Sequence, residues 1–458
     1  MRLSSQLLCL LKESYANAFV QKRTQRRALE LALGTLCALG RRTLSRSICA
    51  VGRHHQDWSA DYKLYSRSPW EPRDLFDPVL KDYRDLHPIG PIVLAFDDTK
   101  LPKTGRKICS AFWQRDPLSP AFRTNLLYGL RFLQVSLIFP HYRAGDFAAR
   151  AVPVRFVECP AVKKPGKRAS VEQIQAYKVE VKIRNLSIQG LEVIKELRAR
   201  LDALGEAGRT MLVAVDGSLC NRNLFGIPLD RVDLVARCRK DARLCLPASE
   251  GTRRKYGKER FTPEEVRADE RIAWQRARIH YGGTWRAIRY KELNEVLWQR
   301  GARTRRLRLL VIAPLPYRIS PRSRVNYRRP AFLLATDTHG SAIVLLQAYF
   351  DRWQIEVNHR EEKETLGVGQ AQVWSPQSVP RQPAFAVAAY SLLLLAALRA
   401  FGPGRPSDLM LLPKWRKRSK RPSALDLIAL LRREINETHI SDRLEGKIAQ
   451  NLLPYAYA

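Results

Sequence analysis

The sequence lacks several features that would classify it at once. None of its eight cysteines forms a C-x-x-C pair, and histidine occurs only eight times, so zinc-ribbon and zinc-finger spacings are absent. Cys9, Cys37, Cys49, Cys109, Cys159, Cys220, Cys238 and Cys245 read as ordinary reduced residues of a cytosolic protein. No glycine-rich phosphate loop occurs, so no nucleotide cofactor is implied. No internal repeat is visible. The stretch Met1 to Leu11 is weakly apolar but has no small-residue cleavage site, which argues against a secretory signal. The most apolar run, Ala384 to Leu398, is short for a membrane span and reads as a helix buried against a sheet, with no membrane partner.

Acidic residues are also few. There are 44 Asp+Glu against 80 Lys+Arg, a formal net charge of +36. Charge of one sign on this scale repels itself unless an anion neutralises it, and nucleic acid is the commonest such anion. A ribosomal or anionic-membrane surface would also account for the charge. With 458 residues, 45% of them apolar, the chain can bury one large core and one or two smaller domains.

The organisation falls into five stretches. Residues 1–85 have helical spacing. Ala28 to Leu39, a break at Gly40 and a second short helix from Thr43 suggest a helix–turn–helix that reads DNA or a plain helical hairpin. Trp58, Tyr62 and Trp70 follow, as domain anchors or DNA contacts. Residues 90–245 carry the apolar strands Ile92–Phe96, Leu130–Phe139, Val152–Val157, Met211–Val215 and Val232–Arg237, with a helix over Ser187–Leu204. Residues 246–330 interrupt this plan with a basic loop, Gly251 to Arg260, and a helix start at Thr262-Pro263, before a strand-like stretch at Leu307–Ala313. Residues 331–400 return to strands at Ala331–Ala335 and Ala342–Leu346, then a long helix from about Ala348 to Leu366. Residues 401–458 hold the densest basic cluster, Lys414 to Arg421, before a helix over Ser423–Glu434.

Three acids stand out by position. Asp97 ends the first strand, Asp216 ends the strand at Met211–Val215, and Glu356 lies on the long helix. Singly, each has an ordinary explanation: Asp97 or Asp98 can cap a turn, Asp216 precedes Gly217, and Glu356 sits on a salt-bridged stripe. Together, two acids at strand ends and one on a packed helix can converge. Unpaired anions that close repel, so the arrangement calls for cations, and hard oxygen donors suit Mg²⁺ or Mn²⁺. Tyr349, Arg352, Glu356 and Lys363 recur at helical spacing, with Ile355 and Trp353 available to the buried side.

This helix carries the pattern Tyr-x2-Arg-x3-Glu-x6-Lys at Tyr349, Arg352, Glu356 and Lys363. Together with Asp97-Asp98-Thr99 and Asp216 it resembles the DDE transposases of the bacterial insertion-sequence group that includes the IS4 and IS701 families. The resemblance implies an α/β fold with an RNase H-like catalytic core, a helical N-terminal domain and an insertion between the second and third acids. It implies that Asp97, Asp216 and Glu356 hold two Mg²⁺ ions, with Mn²⁺ as a substitute. Tyr349, Arg352 and Lys363 would contact DNA phosphates. The spacing to Thr99 favours Asp97 over Asp98, and the signature register favours Glu356 over Glu361 and Glu362. Trp285 and Trp298 lie where some relatives place a base-stacking Trp. The implied partners are double-stranded DNA, as terminal inverted repeats and target, and a second copy of the chain. The implied setting is the cytoplasm, at the nucleoid. A nuclease that cuts without joining fits the same residues, whereas a DNA-binding descendant without catalysis would have lost an acid or the phosphate-binding face, and both are intact.

Overall fold

A computed structural model describes residues 2–116, 118–120, 122–140, 148–320, 322–406 and 421–437. The basic cluster from Lys414 to Lys420 lies outside these residues.

The N-terminal region is helical: α1 (Leu3–Ala18), α2 (Lys22–Cys37), α3 (Leu44–Ala50), α4 (Ser59–Ser66) and α5 (Asp77–Leu86). The turn between α2 and α3 contains Gly40 at φ +65°, and the Thr43 side chain accepts from the Arg46 amide to cap α3. Ser45 and Arg46 are exposed at that N-terminus. The two helices approach closely at Gly34, where an added Cβ would lie 2.3 Å from the Ser47 carbonyl oxygen. Gly34→Ala is therefore expected to push α3 off α2 at a cost of about 1–3 kcal/mol, seen as a lower Tm. An unchanged Tm would show that the contact is slack. Trp70 is buried and donates to the Leu64 carbonyl at 2.7 Å, an anchor, whereas Trp58 and Tyr62 are exposed against each other on the surface.

The chain then builds one mixed sheet. Its elements are β1 (Ile92–Pro102), β2 (Phe112–Arg115), β3 (Leu126–Phe139), β4 (Arg150–Glu158), α6 (Val171–Ile183), α7 (Leu186–Ala203), β5 (Met211–Val215), α8 (Arg222–Phe225) and β6 (Val232–Arg237). After them come α9 (Pro263–Ala268), β7 (Gln275–Tyr281), β8 (Thr284–Leu297), α10 (Gln299–Ala302), β9 (Arg306–Ile312), β10 (Pro316–Tyr317), β11 (Asn326–Tyr327) and β12 (Ala331–Ala335). The last helices are α11 (Ala342–Asp351), α12 (Gln354–Arg360), α13 (Ser378–Phe401) and α14 (Ala424–Glu437). The strand order is β2-β3-β1-β5-β6-β12-β9-β8-β7, with β4 also on β3, while β10 and β11 pair separately. β1–β5 and β5–β6 are parallel and the other pairs antiparallel. A mixed sheet flanked by helices, with a helical N-terminal region, is consistent with an RNase H-like fold.

Three elements differ from expectation. Ala342–Leu346, expected as a strand, is the first part of α11. A short apolar run cannot be assigned by periodicity alone, and this one continues without a break into Gln347–Asp351. The long helix expected to follow is interrupted at Arg352 and Trp353, resumes as α12, and ends in a π-turn at Glu361–Thr365. The buried helix around Ala384–Leu398 begins earlier, at Ser378, and carries Pro383 inside it. Its 24 residues would be long and apolar enough to cross a membrane, but 83% of its most apolar window is buried inside the protein. Residues 246–330, set apart in sequence as an insertion, supply β7, β8 and β9 to the same sheet. The turn between β7 and β8 uses Gly282 and Gly283, both at positive φ, as a tight hairpin requires.

The large core lies on one face of the sheet, beneath α7, α13 and the N-terminal helices. The opposite face carries α11, on Leu212, Ala214, Val235 and Leu333, and α12, whose Ile355 packs on Ala95 and Ile138.

Candidate functional site

Strand register brings the first two acids level. Phe96 pairs with Val215 in the parallel β1–β5 ladder, so Asp97 and Asp216 follow side by side. β5 ends there and the chain turns away, the Asp216 side chain accepting from the Ser218 amide at 3.3 Å. Side chains alternate along a strand, so Asp97 shares the face of Ala95, beneath α12. Asp98 is on the other side. Burial pushes its carboxyl up, offset in part by Arg131 and Lys100.

One guanidinium joins the three acids. Arg352 lies 3.2 Å from Asp97, 3.1 Å from Glu356 and 3.8 Å from Asp216. The break in the helix puts Arg352 at the exit of α11 and Glu356 one turn later in α12, so both side chains point at β1. Burial opposes the charge on Arg352, but Asp97, Asp216 and Glu356 more than offset it and raise its pKa. Burial likewise pushes the Asp97 carboxyl up to about 7, against the pull of Arg352 and with a further push from Asp216. Glu356 is also raised by burial, with Arg352 opposing.

The remaining signature residues surround this centre. Tyr349 is half-buried, and its hydroxyl is raised by desolvation against the pull of Arg237 and Arg352. Burial lowers Lys363, while Glu362, Asp97 and Asp98 hold its charge in place. Trp353 does not serve the buried side as expected: it is 58% exposed, because the two-residue break turns it outward while Ile355 takes the buried position. Glu361 and Glu362 face away from the three acids. Glu361 bonds to Tyr390 of α13 and to the Ala424 amide, and Glu362 is buried and raised to about 8, chiefly by desolvation. Trp298 leans on Phe225 in the core, whereas Trp285, at the β7–β8 tip, has Arg278 over its ring.

The residues that hold α12 in place were not legible beforehand. Asn358, 3% exposed, donates to the Ala151 carbonyl and to the Tyr390 hydroxyl, both at 3.0 Å. It accepts from the Ser136 hydroxyl at 3.2 Å. These bonds fasten the helix to β3, β4 and α13. His359 is held neutral, its pKa lowered to about 3 by burial and by Lys363 and Arg352, and its Nε2 has no partner among the described residues. The only advance signal for Asn358 was a short polar residue on the apolar side of a helix.

Among the described residues, no group of three or more His, Cys, Asp or Glu side chains is arranged closely enough to hold a metal ion. The three acids reach the Arg352 guanidinium instead. Their donor chemistry, carboxylate oxygen throughout, fits a hard divalent cation, and a positive charge already stands at their common centre.

Residues 14–305 match the family described as DDE superfamily endonuclease, a span of more than half the chain, and the chain belongs to this family. The span includes Asp97 and Asp216 and ends before Glu356. Membership is consistent with DNA cleavage, which the family generally carries out with divalent metal ions. No curated protein matches the chain.

Proposed function

We propose that the protein is a transposase of the insertion-sequence kind, which binds the ends of a mobile element and cuts and rejoins DNA strands at Asp97, Asp216 and Glu356. The observation that carries this reading is the meeting of three acids, far apart in sequence, on the single guanidinium of Arg352. The signature at Tyr349, Arg352, Glu356 and Lys363 supports the assignment to the group that includes IS4 and IS701, with residues 246–330 as its insertion. Asp97, Asp216 and Glu356 would hold two Mg²⁺ ions, or Mn²⁺ in their place. Bound there, such ions supply a deprotonated water or 3′-hydroxyl and neutralise charge on the leaving oxygen.

The chain's own residues do the positioning. Arg352 suits a bidentate phosphate contact once the acids are neutralised by other cations, and Lys363 and Tyr349 suit single contacts to neighbouring phosphates. The α2–α3 pair presents exposed Ser45 and Arg46 as a DNA-reading end. Two copies acting together would pair the two element ends before joining them to target DNA, in the cytoplasm at the nucleoid.

The test is cleavage of a supercoiled plasmid carrying the element's two ends, with Mg²⁺. Asp216→Ala is expected to lose at least about a hundredfold in cutting while still binding the ends. Equal cutting by the variant would remove Asp216 from the chemistry. Binding without cutting by either protein, in Mg²⁺ and Mn²⁺, would point to a non-catalytic DNA-binding protein. Cutting without strand joining would point to a nuclease.

A further inference from the structure

The C-terminal helix α14 and the short strap before it lie beyond the span matched by the family, and the strap reaches the site. Arg421 donates through Nη2 to the side-chain oxygen of Gln354 at 3.1 Å, two residues before Glu356, and through Nη1 to the Ala149 carbonyl beside β4. Three residues on, the Ala424 amide donates to Glu361 at 3.0 Å, on the other side of Glu356 along the same helix. Arg150, 4% exposed, donates to the Pro422 carbonyl at 2.6 Å and so closes the strap onto β4. The Tyr390 hydroxyl completes Glu361 at 2.6 Å.

A buried guanidinium, Arg150, and a half-buried one, Arg421, thus share the neighbourhood of one carboxylate, Glu361. Such an arrangement is costly to desolvate, and Arg421 is lowered to about 9, chiefly by burial. A strap that only filled space would do so with apolar side chains. This one places its charged side chain, Arg421, on Gln354 and its Ala424 amide on Glu361, at the two ends of α12.

The other end of α14 is fastened to the N-terminal helices. Glu434, 4% exposed, accepts from the Leu3 and Ser4 amides at 3.2 and 2.7 Å, and so satisfies the open N-terminus of α1. Arg432 donates to the Cys37 and Ala38 carbonyls at 3.1 and 2.9 Å, at the end of α2, where the chain turns toward α3.

We infer that residues 421–437 form a clamp that sets the position of Glu356 and couples it to the N-terminal helices. Arg421 and Glu361 are its positioning residues. Its bearing on catalysis rests on the function proposed above, but its bearing on α12 does not. Displacement of α2 and α3 as they close on DNA would be passed through Arg432 and α14 to the strap, and from there to Gln354 and Glu361.

The experiment compares the full-length protein with Arg421→Ala, Arg421→Lys and the milder Gln354→Ala. Amide hydrogen exchange is read over residues 354–363 without metal, alongside Tm, affinity for the element ends, and cleavage at saturating DNA. Arg421→Ala is expected to speed exchange in that segment about tenfold or more, with α2 and α3 unchanged. It should lower cleavage about ten- to hundredfold, with affinity for the ends within about twofold. Arg421→Lys, which keeps one of the two bonds, should recover part of both effects. Combining Arg421→Ala with Gln354→Ala should add little beyond the first. Unchanged exchange in residues 354–363 for both Arg421→Ala and Gln354→Ala would overturn the clamp. So would a cleavage loss that merely follows a general fall in Tm. If wild-type protein cuts no DNA, the exchange result still decides the clamp, and the failure belongs to the nuclease reading.

Discussion

Replacing Arg352 by Gln is expected to lower the Tm of the metal-free protein by several degrees at pH 8 and far less at pH 5. The side chain is 11% exposed and touches three acids. Removing one partner of a buried ion pair costs about 3–5 kcal/mol, because the remaining charge is left without compensation. Most of that cost falls on Asp97, since the Glu356 and Asp216 side chains are 35% and 43% exposed and water screens them. The pH dependence follows from the direction of the Asp97 shift. Its carboxyl is raised to about 7 in the folded protein, so folding tightens its hold on a proton. The stability this contributes is full below the unfolded carboxylate pKa of about 4 and is lost as pH rises through about 7. Without Arg352 the folded pKa climbs further, so the loss at pH 8 deepens. Magnesium should narrow the gap: millimolar Mg²⁺ is expected to raise the Tm of Arg352→Gln more than that of wild type, because no guanidinium competes for the acids. Thermal scans at both pH values, with and without Mg²⁺, check this. Equal Tm values at pH 8 would show that the ion pairs do not form in solution, and an absent Mg²⁺ effect in the variant would take the three acids out of the metal reading.

The second large effect is expected at Asn358. Truncation to Ala leaves the Ser136 hydroxyl, the Ala151 carbonyl and the Tyr390 hydroxyl each short of a partner in a dry interior. A loss of about 2–4 kcal/mol in urea unfolding is expected, since each unmet buried group costs about 1–3 kcal/mol and some will find other partners. Glu356 lies two residues away on the same helix, so cleavage should fall about ten- to hundredfold at temperatures where the variant is fully folded. Full wild-type cleavage by a destabilised Asn358→Ala would show that α12 keeps its place through Ile355 and the strap alone.

The strands that build the middle of the sheet were legible because each is a continuous apolar run bounded by turn residues. Ile92–Phe96, Met211–Val215, Val232–Arg237 and Ala331–Ala335 all lie within or coincide with observed strands. β7 and β8 were not. Their outward Arg276, Arg278 and Arg289 do alternate with buried Ala277, Ile279, Ile288 and Tyr290, but the alternation is short and sits in a basic, polar stretch that reads by composition as loop. The α11 misreading had the opposite cause, an apolar run too short to show its period. Asp216 and Glu356 could be picked out because a strand end and a helical signature mark them locally; Asp97, expected at a strand end, lies in mid-strand instead, because β1 stays paired with β3 as far as Pro102. Asn358, Tyr390 and Arg421 could not be picked out, since their importance lies in contacts with residues remote in sequence, which no local pattern encodes.

The wide separation of the acids also bears on how the protein is made. From Asp97 to Glu356 the ribosome must extrude more than half the chain, and the strap that grips α12 emerges later still. β1 gains its parallel partner only when β5 has been synthesised, and the surface of β1, β3 and β4 that receives Ile355 stays uncovered until α12 itself emerges. A nascent or prematurely terminated chain therefore carries isolated aspartates and a positive surface but no assembled centre. On the function proposed above, fragments lacking α12 and the strap would adhere to nucleic acid without breaking it, and cutting would await a chain that has been made as far as both.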